Sequence, residues 1–320
     1  MLTVGFVGCG GRARQHMETL ADRDDARIVG ACDIDADTAE AAAADFGATA
    51  YTDHHELYDE EPLDAVFVVL PPFAHEDQEL AAVDAGLDLF VEKPLALTRE
   101  TARDIRDAIE DAGAVAAVGY QMRHNAATER ALDIVSGRAV RLLEGYYRAG
   151  LPGVPWWRVR ARSGGQVVEQ ATHVYDLARL FGGDVAEVSA YGGRRVVEEI
   201  DFPDAVTANL RHESGAVANV VSSSKTPEGD GTEEGRGIRI LAEGCRLHLH
   251  GNTLEGTADG DRVAFEGEND PDEDVVGAFV EASAAGDPGA VGCDYADAYR
   301  TFEATLAVTE SIDSGAPVEL

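Results

Sequence analysis

Lys93 is the first residue whose type and position suggest a catalytic role. It lies in Val91-Glu92-Lys93-Pro94 at the end of an apolar run. The 320-residue chain has 26 basic residues, of which only Lys93 and Lys225 are lysines, beside 60 acidic residues. A lysine is a compact ammonium whose pKa moves on burial, whereas an arginine is a permanently charged planar fork. We therefore predict that Lys93 is catalytic. The alternative is a surface lysine whose stem packs on apolar neighbours.

A second set of reactive side chains lies on one predicted helix, which covers residues 166–181 and ends before Gly182-Gly183. Glu169, His173 and Asp176 are spaced i, i+4 and i+7, which places them on one helix face. A carboxylate one turn from a histidine fixes its tautomer and raises its basicity, and this suits a general base. The alternatives are a structural histidine or a metal site. Three ligands on a single helix rarely coordinate a metal tightly, so we expect none.

A glycine-rich turn follows the strand-like residues 2–7. It reads Gly8-Cys9-Gly10-Gly11-Arg12-Ala13 and matches G-x-G-x-x-A. Glycines let the backbone approach a pyrophosphate, and the helix that follows supplies amide donors at its N-terminus. Asp33 ends the second predicted strand, where a carboxylate accepts hydrogen bonds from an adenosine ribose and repels a 2′-phosphate. These residues predict NAD rather than NADP, although Asp33 could instead satisfy loop amides.

More cofactor contacts are expected at the carboxyl edge of the same sheet, where ligands bind in open α/β folds. The segment Leu70-Pro71-Pro72-Phe73-Ala74-His75 follows a strand that the two prolines terminate. Its histidine either contacts the cofactor or serves as a capping or packing residue. The predicted contacts on this edge are Leu70, Pro71, His75, Glu92, Lys93 and Gln121.

Polar and aromatic residues near the predicted catalytic helix are expected to meet the hydroxyl groups of a substrate. A Pro-Gly-Val-Pro loop carries Trp156, Trp157 and Arg158, and an aromatic wall with a charged neighbour suits a carbohydrate face. The alternative is a loop pinned by buried tryptophans. Arg160 and Arg162 either bind an anionic substituent or pair with surface carboxylates. The predicted substrate contacts are Lys93, Gln121, Arg123, Trp156, Trp157, Arg158, His173 and Asp176.

The elements that position these residues divide the chain into two predicted domains. Residues 1–120 alternate apolar runs with amphipathic segments, which predicts a doubly wound parallel sheet. Residues 121–320 contain strands with one covered face, which predicts an α+β domain with a largely antiparallel sheet. The predicted strands are 3–7, 27–32, 65–70, 89–92, 115–119, 141–147, 185–191, 205–211, 216–221, 237–242 and 245–250. The predicted helices are 12–22, 36–46, 75–85, 98–112, 166–181 and 295–311.

The composition limits the partners and the compartment. The formal net charge is -34 and the sequence pI is about 4.4, so the surface repels nucleic acid and anionic lipid head groups. An acidic, lysine-poor surface is typical of salt-adapted proteins, because concentrated salt screens the repulsion. Four scattered cysteines form no C-x-x-C pair, and no signal peptide or long apolar run is evident. We expect a soluble cytoplasmic protein with reduced thiols.

Together the motifs resemble those of the Gfo/Idh/MocA oxidoreductases, the family of glucose-fructose oxidoreductase and inositol dehydrogenase. The resemblance covers nearly the whole chain. It implies a Rossmann domain joined to an open-faced α+β domain, and a dimer or tetramer formed through that sheet. The motifs are G-x-G-x-x-A at 8–13, the acidic strand end at 33, Pro-Pro-x-x-His at 71–75, Glu-Lys-Pro at 92–94, Gly-Tyr-Gln-x-Arg at 119–123 and His-x-x-Asp at 173–176.

The resemblance also implies the reaction, a hydride transfer between NAD(P) and a hydroxyl-bearing carbon of a sugar, polyol or cyclitol. Lys93 matches the family lysine near the nicotinamide and the substrate hydroxyl, and His173 matches the acid/base histidine. Glu169 stands where the family commonly has aspartate. We predict that Glu169 orients His173. Two alternatives remain open: a non-catalytic NAD-binding regulator or scaffold, and a redox-neutral sugar enzyme with tightly held NAD.

Overall fold

The computed structural model describes residues 1–224 and 235–320. Lys225 therefore lies outside the described residues. The chain forms two compact units, the first of Met1–Gln121 with Asp272–Tyr299 and the second of Met122–Pro271 with Arg300–Leu320. The sequence had placed all of 121–320 in one domain. Residues 272–299 join the first unit because their helix buries apolar side chains, including Phe279, in the core of the parallel sheet.

The first unit contains a six-stranded sheet whose strands all run parallel, in the order β3-β2-β1-β4-β5-β6. The predicted doubly wound parallel sheet is therefore confirmed. Five of these strands were predicted to within two residues. The exception is β3, which has three residues at the sheet edge, too few to show a period. The strands are β1 Leu2–Val7, β2 Ala26–Cys32, β3 Thr49–Tyr51, β4 Ala65–Val68, β5 Asp88–Val91 and β6 Ala116–Val118.

The first five helices of the chain agree with the prediction except in two places, whereas the later helix of the first unit, Pro271–Ala285, was not predicted. The helix predicted at 75–85 begins only at Gln78, because Pro72–Ala74 forms a 3-10 turn before it. The short helix α3 was missed because its sequence is polar and it buries only Leu57. Thr98 caps α5 as expected, since its Oγ1 accepts a hydrogen bond from Thr101 N at 3.2 Å. These helices are α1 Gly11–Ala21, α2 Ala36–Phe46, α3 His54–Glu60, α4 Gln78–Asp84 and α5 Arg99–Ala112.

The second unit is built on a nine-stranded sheet in the order β14-β13-β12-β11-β7-β10-β9-β8-β15. Its pairs are antiparallel except for β7 with β10, so the predicted, largely antiparallel sheet is confirmed. The last three strands were missed because they are short or mostly exposed. The strands are β7 Val140–Ala149, β8 Val185–Gly193, β9 Ala205–His212, β10 Val217–Ser224, β11 Arg236–Ala242, β12 Cys245–His250, β13 Thr253–Ala258, β14 Asp261–Glu266 and β15 Val318–Glu319.

The helix that carries the predicted acid and histidine packs on this sheet. Val174 and Leu177 are fully buried in its core, and a side chain at Gly145 would come within 2.5 Å of Val174 Cγ1. No helix among the described residues is long and apolar enough to cross a membrane. The remaining helices, including those of the chain's last third, are α6 Ala126–Val135, α7 Arg160–Ser163, α8 Thr172–Gly182, α9 Pro271–Ala285 and α10 Tyr295–Ser314.

Candidate active site

The glycine turn between β1 and α1 has the geometry of a phosphate-binding loop. Gly8 has φ of +89°, and a Cβ there would lie 2.3 Å from the carbonyl oxygen of Val69, so no other residue fits. A Cβ on Gly10 or Gly11 would meet nothing within 4 Å. Gly10 caps α1 without a side-chain hydrogen bond, which leaves the first amides of the helix open to an anion. The turn therefore fits a pyrophosphate.

Asp33 lies at the carboxyl end of β2 and is held by two backbone amides. Its Oδ2 accepts a hydrogen bond from Cys9 N at 2.9 Å, and its Oδ1 accepts one from Asp35 N at 3.0 Å. The contact with Cys9 attaches the carboxylate to the glycine turn. Asp33 thus satisfies loop amides, as the alternative interpretation stated, and it remains half-exposed. Beside it, Ile34 is 97% exposed and brings no positive charge.

The loop after β4 places its predicted contacts in two different environments. Leu70 is half-buried, and its Cδ2 would lie 3.0 Å from a Cβ on Gly8, so it sits against the glycine turn. His75 is turned inward, with its Nδ1 against a carboxylate oxygen of Glu79, and both side chains are 0% exposed. Burial alone would lower the pKa of His75, but the Glu79 carboxylate outweighs it and the pKa is raised. His75 therefore packs the loop.

Glu92 is buried and is the centre of a charged network beside Lys93. Its Oε1 accepts hydrogen bonds from Arg12 Nε at 2.8 Å and from His16 Nε2 at the same distance. Its Oε2 accepts one from the backbone nitrogen of Lys93 at 3.1 Å. Burial raises the pKa of Glu92, but His16 and the charge of Arg12 overcome it and lower the pKa strongly. Glu92 stays ionised and fixes the backbone at Lys93.

Two residues of this network change the sequence interpretation. Arg12 was predicted to bind the cofactor, but its guanidinium contacts Glu92 and also donates to Asp272 Oδ1 at 2.6 Å. His16 was missed. The signal that could have found it is its position one turn after Arg12, on the face of α1 that also buries Ala13 and Met17. A Cβ on Gly119 would lie 2.8 Å from Glu92 Oε1, so this glycine leaves room for the network.

Gln121 follows β6 and offers a buried acceptor to a ligand. Its side-chain oxygen Oε1 is buried and has no hydrogen-bond partner among the residues that the structure describes. A buried amide oxygen without a partner is costly, so such a group in a native protein calls for a ligand or a bound water. Lys93 is half-buried in the same unit. Both residues therefore fit the cofactor and substrate contacts that the sequence assigned to them.

In the second unit, the predicted regular helix 166–181 is corrected. Residues Val167–Ala171 form a π turn, and the regular helix α8 begins at Thr172. A π turn has i→i+5 hydrogen bonds, so Glu169 and His173 do not have the angular relation of an α-helical i, i+4 pair. Glu169 is half-buried, and its Oε2 accepts a hydrogen bond from Trp157 Nε1 at 2.6 Å. His173 is 5% exposed.

Asp176, on α8, is buried and paired with Arg123. Its carboxylate accepts two hydrogen bonds from the Arg123 guanidinium, one from Nε to Oδ2 at 2.8 Å and one from Nη2 to Oδ1 at 2.5 Å. Thr301 Oγ1 donates to Asp176 Oδ1 at 3.0 Å, and Arg179 donates to Thr301 at 2.8 Å. Arg123 and Asp176 are both buried. The structure therefore shows these two predicted substrate contacts as an internal ion pair, which the sequence interpretation missed.

The tryptophan loop forms a 3-10 turn, Pro155–Arg158, and is pinned from inside. Trp157 is fully buried against an apolar cluster, with its ring centroid 5.1 Å from that of Phe202. Arg158 donates to the carbonyl oxygens of Pro152 and Val154 at 3.3 and 3.1 Å. The alternative interpretation of this loop is therefore correct for Trp157. Trp156 is only partly buried and keeps a surface that a ligand can contact.

Arg160, the first of the two loop arginines, has carboxylate partners. Its guanidinium donates to Asp313 at 2.5 and 3.0 Å, and its backbone nitrogen donates to Asp201 Oδ1 at 2.6 Å. Of the two readings of this residue, the surface pairing is the one observed. Arg162 is exposed.

Comparisons with known proteins agree with this architecture. Residues 2–120 match the oxidoreductase family model with an NAD-binding Rossmann fold, and residues 137–253 match the Gfo/Idh/MocA C-terminal domain. D-apiose dehydrogenase of Paraburkholderia graminis is 32% identical over 79% of this chain and 71% of its own length. D-xylose 1-dehydrogenase (NADP(+)) 2 of Haloferax volcanii is 31% identical over 68% of this chain and 65% of its own length.

The solved structures agree on the fold. An oxidoreductase from Agrobacterium radiobacter, in complex with NAD+, L-tartaric acid and magnesium, superposes with a TM-score of 0.89 at 22% identity. The match covers 99% of this chain and 98% of that one. The chain therefore belongs to the Gfo/Idh/MocA family and is an NAD(P)-dependent oxidoreductase.

Proposed function

We propose that the protein is a dehydrogenase that transfers a hydride between a nicotinamide cofactor and a hydroxyl-bearing carbon of a sugar, polyol or cyclitol. The observation that carries the proposal is a cofactor-binding turn in the same chain as Lys93 and a buried His173. The relatives add support, since they include dehydrogenases of D-apiose, D-xylose and scyllo-inositol. A regulator that only binds the cofactor needs no such acid/base group.

The first unit holds the cofactor in this proposal. The Gly8–Ala13 turn and the open amides of α1 bind the pyrophosphate, and Asp33 accepts hydrogen bonds from the adenosine ribose. Leu70 and Pro71 line the cofactor from the next loop. The bound nicotinamide supplies the hydride chemistry. Gln121 uses its buried Oε1 as an acceptor, and Glu92 acts indirectly, by fixing the backbone that presents Lys93.

The proton is moved by side chains of the protein. His173 accepts the proton of the substrate hydroxyl on an imidazole nitrogen, as a general base. The Lys93 ammonium donates a hydrogen bond to the oxygen as negative charge develops there, which stabilises the alkoxide. Glu169 orients the imidazole, and Trp157 in turn fixes Glu169 through its indole N–H. Hydride transfer in the other direction uses the same groups with the proton returned from His173.

Substrate hydroxyls are bound by Lys93, His173, Gln121 and Trp156 in this proposal. Arg123 and Asp176 contribute as a positioning pair, because their charges are used on each other. Trp157 and Arg158 likewise hold the shape of the loop that presents Trp156. The predicted substrate residues therefore fall into two groups: residues that contact the substrate, and residues that hold the contacting residues in place.

NAD is the preferred cofactor in this proposal. The Asp33 carboxylate repels a 2′-phosphate, and neither Ile34 nor Asp35 carries a positive charge to bind one. Asp35 is committed as the N-cap of α2, where its Oδ1 accepts from Thr38 N at 2.8 Å. The Haloferax relative is named as an NADP enzyme, and the ratio of kcat/KM for the two cofactors tests the preference of this chain.

The proposed setting is a salt-rich, reducing cytoplasm, with no nucleic acid or membrane partner. The net charge of -34 supports the salt adaptation. All four cysteines are buried, and burial raises the pKa of the Cys9 and Cys32 thiols to about 12, which keeps these two unreactive. Unfolding midpoints that rise from dilute buffer to multimolar KCl would support salt adaptation. A flat profile would contradict it.

A homodimer or homotetramer through the C-terminal sheet is also proposed. Along β9, Ala205–His212, side chains alternate strictly between exposed and buried. One face of this sheet therefore packs on the core while the other remains available to a second copy. Light scattering coupled to size-exclusion chromatography in multimolar KCl measures the oligomer. A monomer at micromolar concentration would contradict the proposal.

The function is tested by a panel of sugars, polyols and cyclitols with NAD and with NADP, in multimolar KCl, with NAD(P)H absorbance as the readout. Saturable formation of reduced cofactor with at least one substrate is the expected result. Cofactor that copurifies, with product formed but no net reduced cofactor, would favour the redox-neutral alternative. Tight cofactor binding with no turnover of any panel member would favour the non-catalytic alternative.

A further inference from the structure

The first unit contains a cluster of four potential metal ligands. Three of them lie just before and inside the first turn of α3, and the fourth lies just before α4. Among the residues that the structure describes, Asp53, His54 and His55 bring one ligand atom each within 4.8 Å of one another. Asp77 faces both rings, with Oδ1 3.2 Å from His54 Nε2 and Oδ2 3.1 Å from His55 Nε2. The ring centroids of His54 and His55 are 4.2 Å apart.

We propose that Asp53, His54, His55 and Asp77 bind a divalent transition-metal ion such as Zn²⁺. The two nitrogen–oxygen distances fit this role. A tetrahedral ion with ligand bonds of about 2.0–2.1 Å separates its ligand atoms by about 3.3 Å, close to the observed 3.2 and 3.1 Å.

The contact between His54 and Asp77 is not explained as a hydrogen bond. His54 Nε2 is buried and has no hydrogen-bond partner among the described residues, although Asp77 Oδ1 is within ion-pair distance. The nitrogen is thus close to a carboxylate without the alignment that a hydrogen bond requires. An ion placed between the two atoms would use both lone pairs. Tyr58 packs edge-on against the His54 ring, with centroids 5.6 Å apart, and limits its rotation.

The two carboxylates face the histidines, and Asp77 Oδ2 forms a hydrogen bond with His55 Nε2 at 3.1 Å that an ion would replace. Asp77 stands at the N-cap of α4, yet its side chain makes no capping hydrogen bond and turns to the histidines. Asp53 caps α3 with Oδ1 alone, which accepts from His55 N at 2.9 Å. Two imidazoles with two carboxylates form a mixed nitrogen and oxygen set, which favours Zn²⁺ and similar first-row ions over Mg²⁺ or Ca²⁺. The acidic surface attracts any cation.

A bound ion would connect the start of α3 to the start of α4. Its ligands His55 and Asp77 are 22 residues apart in the sequence. It would therefore stabilise the first unit in proportion to its occupancy, because an ion that binds only the folded state raises the unfolding midpoint. The site uses none of the residues assigned to cofactor or substrate. Its success or failure is independent of the proposed dehydrogenase reaction.

The test is calorimetric titration of chelator-treated, full-length protein with Zn²⁺, in multimolar KCl with Mg²⁺ present to saturate unspecific carboxylate sites. We expect one Zn²⁺ per chain and a rise in the unfolding midpoint. His55→Gln, at an exposed position, should weaken binding by at least about 100-fold, more than loss of an outer-shell partner does. His54→Gln and Asp77→Asn each remove another proposed ligand and should weaken binding by a similar factor, at least about 100-fold.

The matched control is His248→Gln with His250→Gln. These histidines have ring centroids 4.7 Å apart on β12 and lie outside the proposed site. Zn²⁺ binding should be unchanged in this control. Co²⁺ should give the visible absorption of a four- or five-coordinate site in the wild type and lose it in His55→Gln. Binding that survives in all three site variants, or that is lost in the control, would overturn the proposal.

Discussion

The indole nitrogen of Trp157 donates a 2.6 Å hydrogen bond to the carboxylate of Glu169. Trp157 is fully buried and belongs to a small apolar cluster with Val197, Ile200 and Phe202. The cluster therefore fixes the indole, and the indole fixes the carboxylate that is proposed to orient His173. In the proposed function, the loop that was predicted to contact the substrate therefore acts through this indirect route.

Trp157→Phe tests this route. Phenylalanine keeps an aromatic ring near Phe202 but removes the indole N–H donor. Glu169 therefore loses one charged hydrogen bond, worth about 1.5–3 kcal/mol. We expect a drop in kcat with little change in cofactor affinity, measured from initial rates and cofactor titration. Trp156→Phe, at the neighbouring residue that is proposed to contact the substrate, is the comparison and should act mainly on KM rather than on kcat. Equal losses in both variants would argue against a specific role for Trp157.

His173→Ala removes the proposed general base. We expect kcat to fall by roughly 10²- to 10⁴-fold, as for a lost proton-transfer group, while cofactor affinity is nearly unchanged. Lys93→Arg should also be severely impaired, because a planar fork cannot replace a compact ammonium. The two losses should combine less than additively if the residues serve the same step. Near-normal turnover by Lys93→Arg would leave the catalytic assignment with His173 alone.

Asp176→Asn breaks the buried bidentate pair with Arg123. A buried guanidinium left without its carboxylate costs about 3–5 kcal/mol of the free energy of unfolding, measured by urea titration in multimolar KCl. The exposed pair between Arg211 and Glu187 is the control, and Glu187→Gln should cost about 0–1 kcal/mol. If the two substitutions lower the free energy of unfolding equally, the buried pair between Arg123 and Asp176 does not stabilise the fold as its burial indicates.

Glu92→Gln should destabilise the protein in a pH-dependent way. The pKa of Glu92 is lowered in the folded chain, so the carboxylate contributes stability above its unfolded pKa of about 4.3, and this stability is lost as the pH falls toward the lower folded pKa. We expect a loss of about 3 kcal/mol or more at pH 7. The difference between variant and wild type should shrink below about pH 4. A difference that is constant from pH 7 to pH 3 would exclude the charge as its cause.

Asp33→Ser combined with Ile34→Arg should shift cofactor preference toward NADP. The change removes the repelling carboxylate and places a guanidinium where Ile34 is almost fully exposed. Because Asp33 also binds the amides of Cys9 and Asp35, Asp33→Ser alone should weaken binding of both cofactors. The ratio of kcat/KM for NAD and NADP is the measurement. A wild-type preference for NADP of tenfold, about 1.4 kcal/mol, would refute the role of Asp33.

The sequence determined the features that depend on local pattern. Alternation of apolar runs with amphipathic helices fixed the parallel sheet, and the glycine spacing located the phosphate turn, because both follow from contacts between near neighbours in the chain. Asp33, Lys93 and Gln121 could be placed at strand ends for the same reason. Short or polar elements such as α3 and β3 escaped, since seven or three residues are too few to show a period.

Only the tertiary structure decided which polar groups satisfy each other. Asp176 and His173 share a helix, yet the Asp176 carboxylate is hydrogen-bonded to Arg123, 53 residues earlier. The Glu92 carboxylate is likewise hydrogen-bonded to His16, 76 residues earlier. Spacing along a helix shows which way a side chain points but not what it meets, because the partner comes from a distant segment. For the same reason, the cluster of His54, His55 and Asp77 became visible only when two separate helix starts were brought together.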